Sequence, residues 1–198
     1  DTIFLHKEYG GITSYLFGYC IASLFSSRLK LDHLQIPYFL QIACERNSNT
    51  YRLVQKIVDI CDVNTSIVRK CRKSFFQYGY CDYDSVTIFP EKDSAAILDS
   101  LLYNRDIPVI IDGYENEKNY TDILRMTANI HRKINRIDIK DRFNILPIFI
   151  CPVIRSQFKN FFSMDLTNLD IDDEYLKLIE YREQMLASWI LEFIINAD

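Results

Sequence analysis

The sequence predicts a three-layered α/β domain: a mainly parallel sheet flanked by helices, with a long helix at the C-terminal end. Three observations carry that expectation. Short runs at Tyr38–Ala43, Ile107–Asp112 and Ile145–Cys151 are apolar without strict alternation, as strands covered on both faces are. Segments between them repeat apolar residues at helical spacing, the mark of crossover helices. Five Gly and five Pro among 198 residues are few, which favours long regular elements over a loop-rich or all-β chain.

In chain order, Gly10 and Gly11 end an N-terminal stub, and Thr13 is placed to cap a helix reaching about Leu24. Ser26, Ser27 and the stretch Arg28 to His33 break the pattern, and Pro37 introduces the first strand. Glu45 to Thr50 holds no apolar side chain. Leu53, Val54, Ile57, Val58 and Cys61 then return at helical spacing, which makes the unit strand, polar loop, helix. A helix from about Thr65 to Gln77, capped by Asn64 and stopped near Gly79, and a short strand at Val86–Phe89 make residues 64–92 a helical, basic insert. Ala95, Ile97, Leu98, Leu101 and Leu102 give a helix before the second apolar run, and a helix from about Tyr120 to Lys133 precedes the third. Residues 172–197 form the C-terminal helix, with acids at its start and Leu176, Ile179, Leu186, Ile190 and Ile194 along one side. Trp189 and Phe193 widen that stripe. With no repeat, low-complexity tract or linker, residues 1–198 read as one domain. The opening on Asp1 rather than Met predicts a piece of a longer chain.

Composition removes several function classes. At 48% hydrophobic residues the chain can build a core without staples, and a net charge of -4 fits neither a globally basic nucleic-acid coat nor a disordered acidic tail. Six Cys, at 20, 44, 61, 71, 81 and 151, contain no C-x-x-C pair; they predict buried free thiols, no zinc site and a cytoplasmic address. Ile12 to Phe25 is shorter than the roughly 20 residues a bilayer requires, so no membrane association is expected. His6, His33 and His131 are dispersed and no G-x-S-x-G occurs, which argues against zinc and serine hydrolases. Asp112, Glu115 and Lys118 lack the acid-x-Lys spacing of a restriction-type nuclease.

The unit Phe39 to Cys61 resembles the opening of a P-loop NTPase. In that superfamily a strand runs into G-x-x-x-x-G-K-[ST], whose amides and Lys hold phosphates at a helix N-terminus while the hydroxyl ligates Mg²⁺. Here the eight-residue loop is Cys44-Glu-Arg-Asn-Ser-Asn49-Thr50-Tyr51. Cys44 and Asn49 stand at the Gly positions, Thr50 at the Lys and Tyr51 at the hydroxyl. Asn49 can supply the left-handed backbone of the second Gly, but Thr50 brings no charge and the Tyr51 hydroxyl is far from the backbone. Ile107 to Glu115 is similar to a Walker B strand, with Asp112 as Mg²⁺ ligand and Glu115 as a displaced catalytic acid. Ile145 to Cys151 is similar to the sensor strand of AAA and replicative-helicase ATPases, followed by Arg155 and Ser156 rather than an Asn or Thr sensor.

The resemblance covers roughly residues 12 to 156 and implies a P-loop NTPase-like fold with a degenerate Walker A loop. What it implies for function is a non-hydrolysing structural or DNA-associated module with no cofactor. Its first alternative is an active Mg-ATPase of helicase type, with Arg46 or Arg52 as substitute cation. The second is a ligand-free interaction domain that uses the C-terminal helix around Trp189. For DNA or RNA, Arg69, Lys70, Arg72 and Lys73 lead into Phe75, Phe76, Tyr78 and Tyr80, cations that grip phosphates beside rings that stack on bases. A second basic stretch holds Arg125, Arg132, Lys133, Arg136, Lys140 and Arg142. Asp165, Asp170, Asp172, Asp173 and Glu174 form an acidic counterpart that fits a helix N-terminus or a basic patch on another subunit, so a protein partner or homo-oligomer is expected.

Overall fold

Strands that are apolar on both faces must be covered on both, and the sheet meets that demand with helices on either side. The structure is a computed structural model, and it describes residues 3–26, 39–61, 108–114, 118, 120–125, 146–157 and 161–196, with the backbone of 87–88. Five strands are β1 (Phe39–Ala43), β2 (Thr87–Ile88), β3 (Ile110–Asp112), β4 (Ile148–Cys151) and β5 (Phe161–Asp165). They form one sheet in the order β2-β3-β4-β1-β5, and every adjacent pair is parallel. The described helices are α1 (Gly10–Leu24), α2 (Asn49–Cys61), α3 (residues 120–125) and α4 (Asp173–Ile195).

Alternation along the strands divides the core in two. Leu40, Ile42, Ile110, Ile148 and Ile150 join side chains of α1, α2 and α4 in one cluster, whereas Phe39, Ile111, Phe149, Cys151 and Phe161 meet Tyr120, Ile123 and Leu124 of α3 in the other. The first helix layer is α1 against α2 and α2 against α4. Four thiols, Cys20, Cys44, Cys61 and Cys151, are free and buried as expected, while Cys71 and Cys81 lie outside the described residues. Among the described residues no helix is long and apolar enough to cross a membrane.

Several boundaries differ from the sequence reading. Thr13 does not cap α1. The helix begins at Gly10, because the Gly10 amide already donates to the His6 carbonyl at 2.9 Å and the Thr13 amide to that of Tyr9 at 3.0 Å. The Thr13 hydroxyl instead pairs with the Tyr175 phenol at 2.7 Å, tying α1 to α4. β5 was unforeseen: Phe161–Asp165 is only partly buried, since among the described strands it lies at the sheet edge beside β1, and it lacks a central strand's apolar run. At α4 the expectation holds, with Asp172 accepting the Tyr175 amide at 2.6 Å and Asp173 and Glu174 in the first turn. The helix 65–77 and most of the 64–92 insert lie outside the described residues; only Thr87–Ile88 is seen, paired with β3.

Gly113, just after β3, allows a close approach. A Cβ there would lie 2.7 Å from the Tyr120 ring and 2.9 Å from the Ile150 carbonyl. Gly113→Ala is therefore expected to lower stability by about 1–3 kcal/mol, read as a shifted urea midpoint; an unchanged midpoint would refute the crowding.

Candidate functional site

In an open α/β sheet the crevice for ligands lies beyond the carboxyl ends of the strands, where successive connections leave on opposite faces. Here β1 leads into α2 on one face and β3 into α3 on the other, with β4 between them. The chain segments that follow these strands carry most of the residues singled out by the sequence.

Asp112 closes β3 with no exposed surface. Its Oδ2 accepts the Tyr51 phenol at 2.6 Å and its Oδ1 accepts the Tyr114 amide at 2.9 Å. Tyr51 is itself buried, reaches across from the first turn of α2, and meets the Tyr114 ring edge-on at 6.4 Å. Arg46 sits over that ring at 5.8 Å. Burial, and then the Asp112 hydrogen bond, push the Tyr51 phenol above its ordinary pKa. Burial likewise raises the Tyr114 phenol, and it pushes the Cys44 thiol up to about 12. The groups around the carboxylate thus stay protonated at neutral pH, and the Tyr51 phenol is the one that donates to it.

Ser48 closes the loop on itself, and Asn49 and Thr50 tie it to the segment that precedes α4. Ser48 donates its hydroxyl to the Glu45 carbonyl at 2.6 Å and accepts the Tyr51 amide at 3.1 Å, capping α2. Asn49 is the first residue of α2 rather than the left-handed one; Asn47, with φ 61°, takes that conformation because the Glu45-to-Ser48 turn closes there. The Asn49 amide donates to the Ile171 carbonyl at 2.7 Å and to Asp173 at 3.2 Å. The Thr50 hydroxyl donates to the Leu169 carbonyl at 2.7 Å. Arg52 turns away from the crevice, bonding Asn49 at 3.2 Å and facing Asp173 at 3.7 Å. Glu45 is exposed.

The sensor-like strand presents little to this side. Cys151 belongs to the opposite-face cluster, its thiol donating to the Ile42 carbonyl at 3.5 Å. The Arg155 amide donates to buried Gln41 at 3.2 Å, and Ser156 is exposed. Lys118 is exposed. Glu115 and the basic residues Arg69, Lys70, Arg72 and Lys73 lie outside the described residues. Among the described residues no group of three or more His, Cys, Asp or Glu side chains could hold a metal.

Sequence reasoning missed Ser48, whose place three residues before Tyr51 is a cap signal that moves the helix start forward. It also missed Tyr114 and the Leu169 and Ile171 carbonyls, which have no signal because backbone groups at this range are brought in by the fold alone. A scan against protein-family models finds no match, and comparisons with curated proteins and solved structures likewise return no significant similarity.

Two outcomes follow. Tyr51→Phe strips a donor from a buried carboxylate and is expected to cost about 1–3 kcal/mol in denaturant unfolding, against near zero for removal of an exposed hydroxyl. Folding raises the pKa of Cys44 from 9.0 to about 12, and those of Tyr51 and Tyr114 upward from 10.0. The folded state then holds these protons more tightly than the unfolded chain, so this stabilisation is whole below about pH 9 and is lost as pH rises through 9 to 12. A urea midpoint that stays level over that window would contradict it.

Proposed function

We propose that the chain is a P-loop NTPase-like domain whose nucleotide site has become a structural lock, so that it hydrolyses no nucleotide and serves as a structural or DNA-associated module. The observation that carries this reading is the buried Asp112 carboxylate, both of whose oxygens are taken by Tyr51 and Tyr114. A Mg²⁺-holding acid needs an oxygen turned toward solvent, and freeing one here would leave a polar group unpaired in the core. Thr50, at the position of the phosphate-binding Lys, has no charge and gives its hydroxyl to Leu169. Loss of such a cation typically costs orders of magnitude in phosphoryl transfer.

Support for the lineage comes from the sheet order. A sensor side chain can reach both a bound phosphate and the Mg²⁺-holding acid only from a strand between them, and β4 lies between β1 and β3. The second reading is a working Mg-ATPase with Arg46 as its cation, favoured by the position of that guanidinium over Tyr114 in the crevice. DNA association rests on Arg69, Lys70, Arg72 and Lys73 beside their aromatic neighbours.

Thermal denaturation with and without Mg-ATP separates the two readings: no shift is expected for the lock, an upward shift for the ATPase. Tight Mg-ATP binding with turnover abolished by Asp112→Asn would overturn the proposal. The nucleic-acid component predicts salt-sensitive retention on single-stranded DNA that is lost when the four basic residues are neutralised; free passage at low salt would end it.

A further inference from the structure

The outer side of α4 carries an apolar ridge. Tyr181, Met185, Trp189 and Phe193 follow at four-residue intervals, so each adjoins the next in a row that drifts by about 40° per step toward α1, and their exposures are 82%, 49%, 52% and 46%. Single exposed apolar residues are ordinary; a contiguous row of four large ones is the kind of patch that marks an interface. The row is braced from below. Trp189 lies flat against Phe17 of α1 and against Phe193, each at 6.1 Å, and Phe193 meets Phe25 edge-on at 5.6 Å. Rings held in this way lose little side-chain entropy on binding.

The charges beside the ridge, Arg182 and Glu192, suit a second copy of the same helix. About residue 187, Met185 and Trp189 are equidistant, and so are Tyr181 and Phe193 and the flanking charges Arg182 and Glu192. A two-fold axis through that level, with two copies of α4 antiparallel, sets Trp189 of each protomer beside Met185 of the other. It sets Tyr181 beside Phe193, and Arg182 beside Glu192. A parallel pairing would instead oppose Arg182 to Arg182 and Glu192 to Glu192. Arg182 already lies along the ridge, over the Tyr181 ring at 5.7 Å and 3.7 Å from the Met185 sulfur.

We propose that this ridge is the isologous contact of a homodimer, formed by α4 of a second copy of the same chain in antiparallel register. None of the ridge residues belongs to the 44–51 loop, so the dimer is tested independently of the nucleotide reading.

Sedimentation velocity over a concentration series tests the pairing. The chain has one tryptophan, so its emission gives a second readout, moving to shorter wavelength as the dimer buries Trp189. Arg182→Glu and Glu192→Arg each oppose like charges across the axis and are expected to weaken the dimer by about tenfold or more. The double variant R182E/E192R restores the opposite-charge pairs and the wild-type constant. Both substitutions fall on the surface of the helix, and circular dichroism verifies that each of the three variants is folded. A wild-type chain that stays monomeric at its highest soluble concentration overturns the proposal. So does a dimer indifferent to both single swaps, or one that the double swap fails to rescue.

Discussion

A carboxyl group with no exposed surface must find its hydrogen bonds inside the protein, and Asp112 finds them in Tyr51 and Tyr114. That requirement organises the crevice. It holds the first turn of α2 against the end of β3, and it sets the Tyr114 backbone immediately after Gly113. Gly113 in turn must lack a side chain, because Tyr120 comes up beneath it from the other face. One acid thus couples both helix layers through the sheet.

The loop between β1 and α2 follows the same logic. A helix N-terminus with free amides attracts anions, and here that end is tied to the rest of the chain. Ser48 caps it, while Asn49 and Thr50 donate to carbonyls of the segment that joins β5 to α4. Acidic Asp173 stands beside Asn49 and Arg52, so the surroundings of this helix end already hold negative charge.

The main strands and helices were legible because burial on both faces leaves unbroken apolar runs, as in Ile148–Cys151, and because α2 and α4 carry their apolar residues on one side. β5 was not, since an edge strand with Ser163 and Asp165 has no apolar run to betray it. In the site, Asp112 was visible as the acid ending an apolar run. Its pairing with Tyr51 could not: a phenol sixty-one residues away is brought to it only by the crossover from β1 to β3. Thr13 was misread as a cap because its hydroxyl is equally suited to a long-range partner, and Tyr175 was out of sight of any local rule.

The position of β1 also governs how the chain can be made. It is flanked in the sheet by β4 and β5, and Gln41 meets partners 110 and 122 residues further along. At about 5–20 residues per second, synthesis delivers those partners roughly 6–24 seconds after β1 itself. Over that interval an apolar strand has neither of its sheet neighbours, and only the arrival of the C-terminal third lets the middle of the sheet close. The centre of the sheet is thus closed late, by strands that follow β1 by more than a hundred residues.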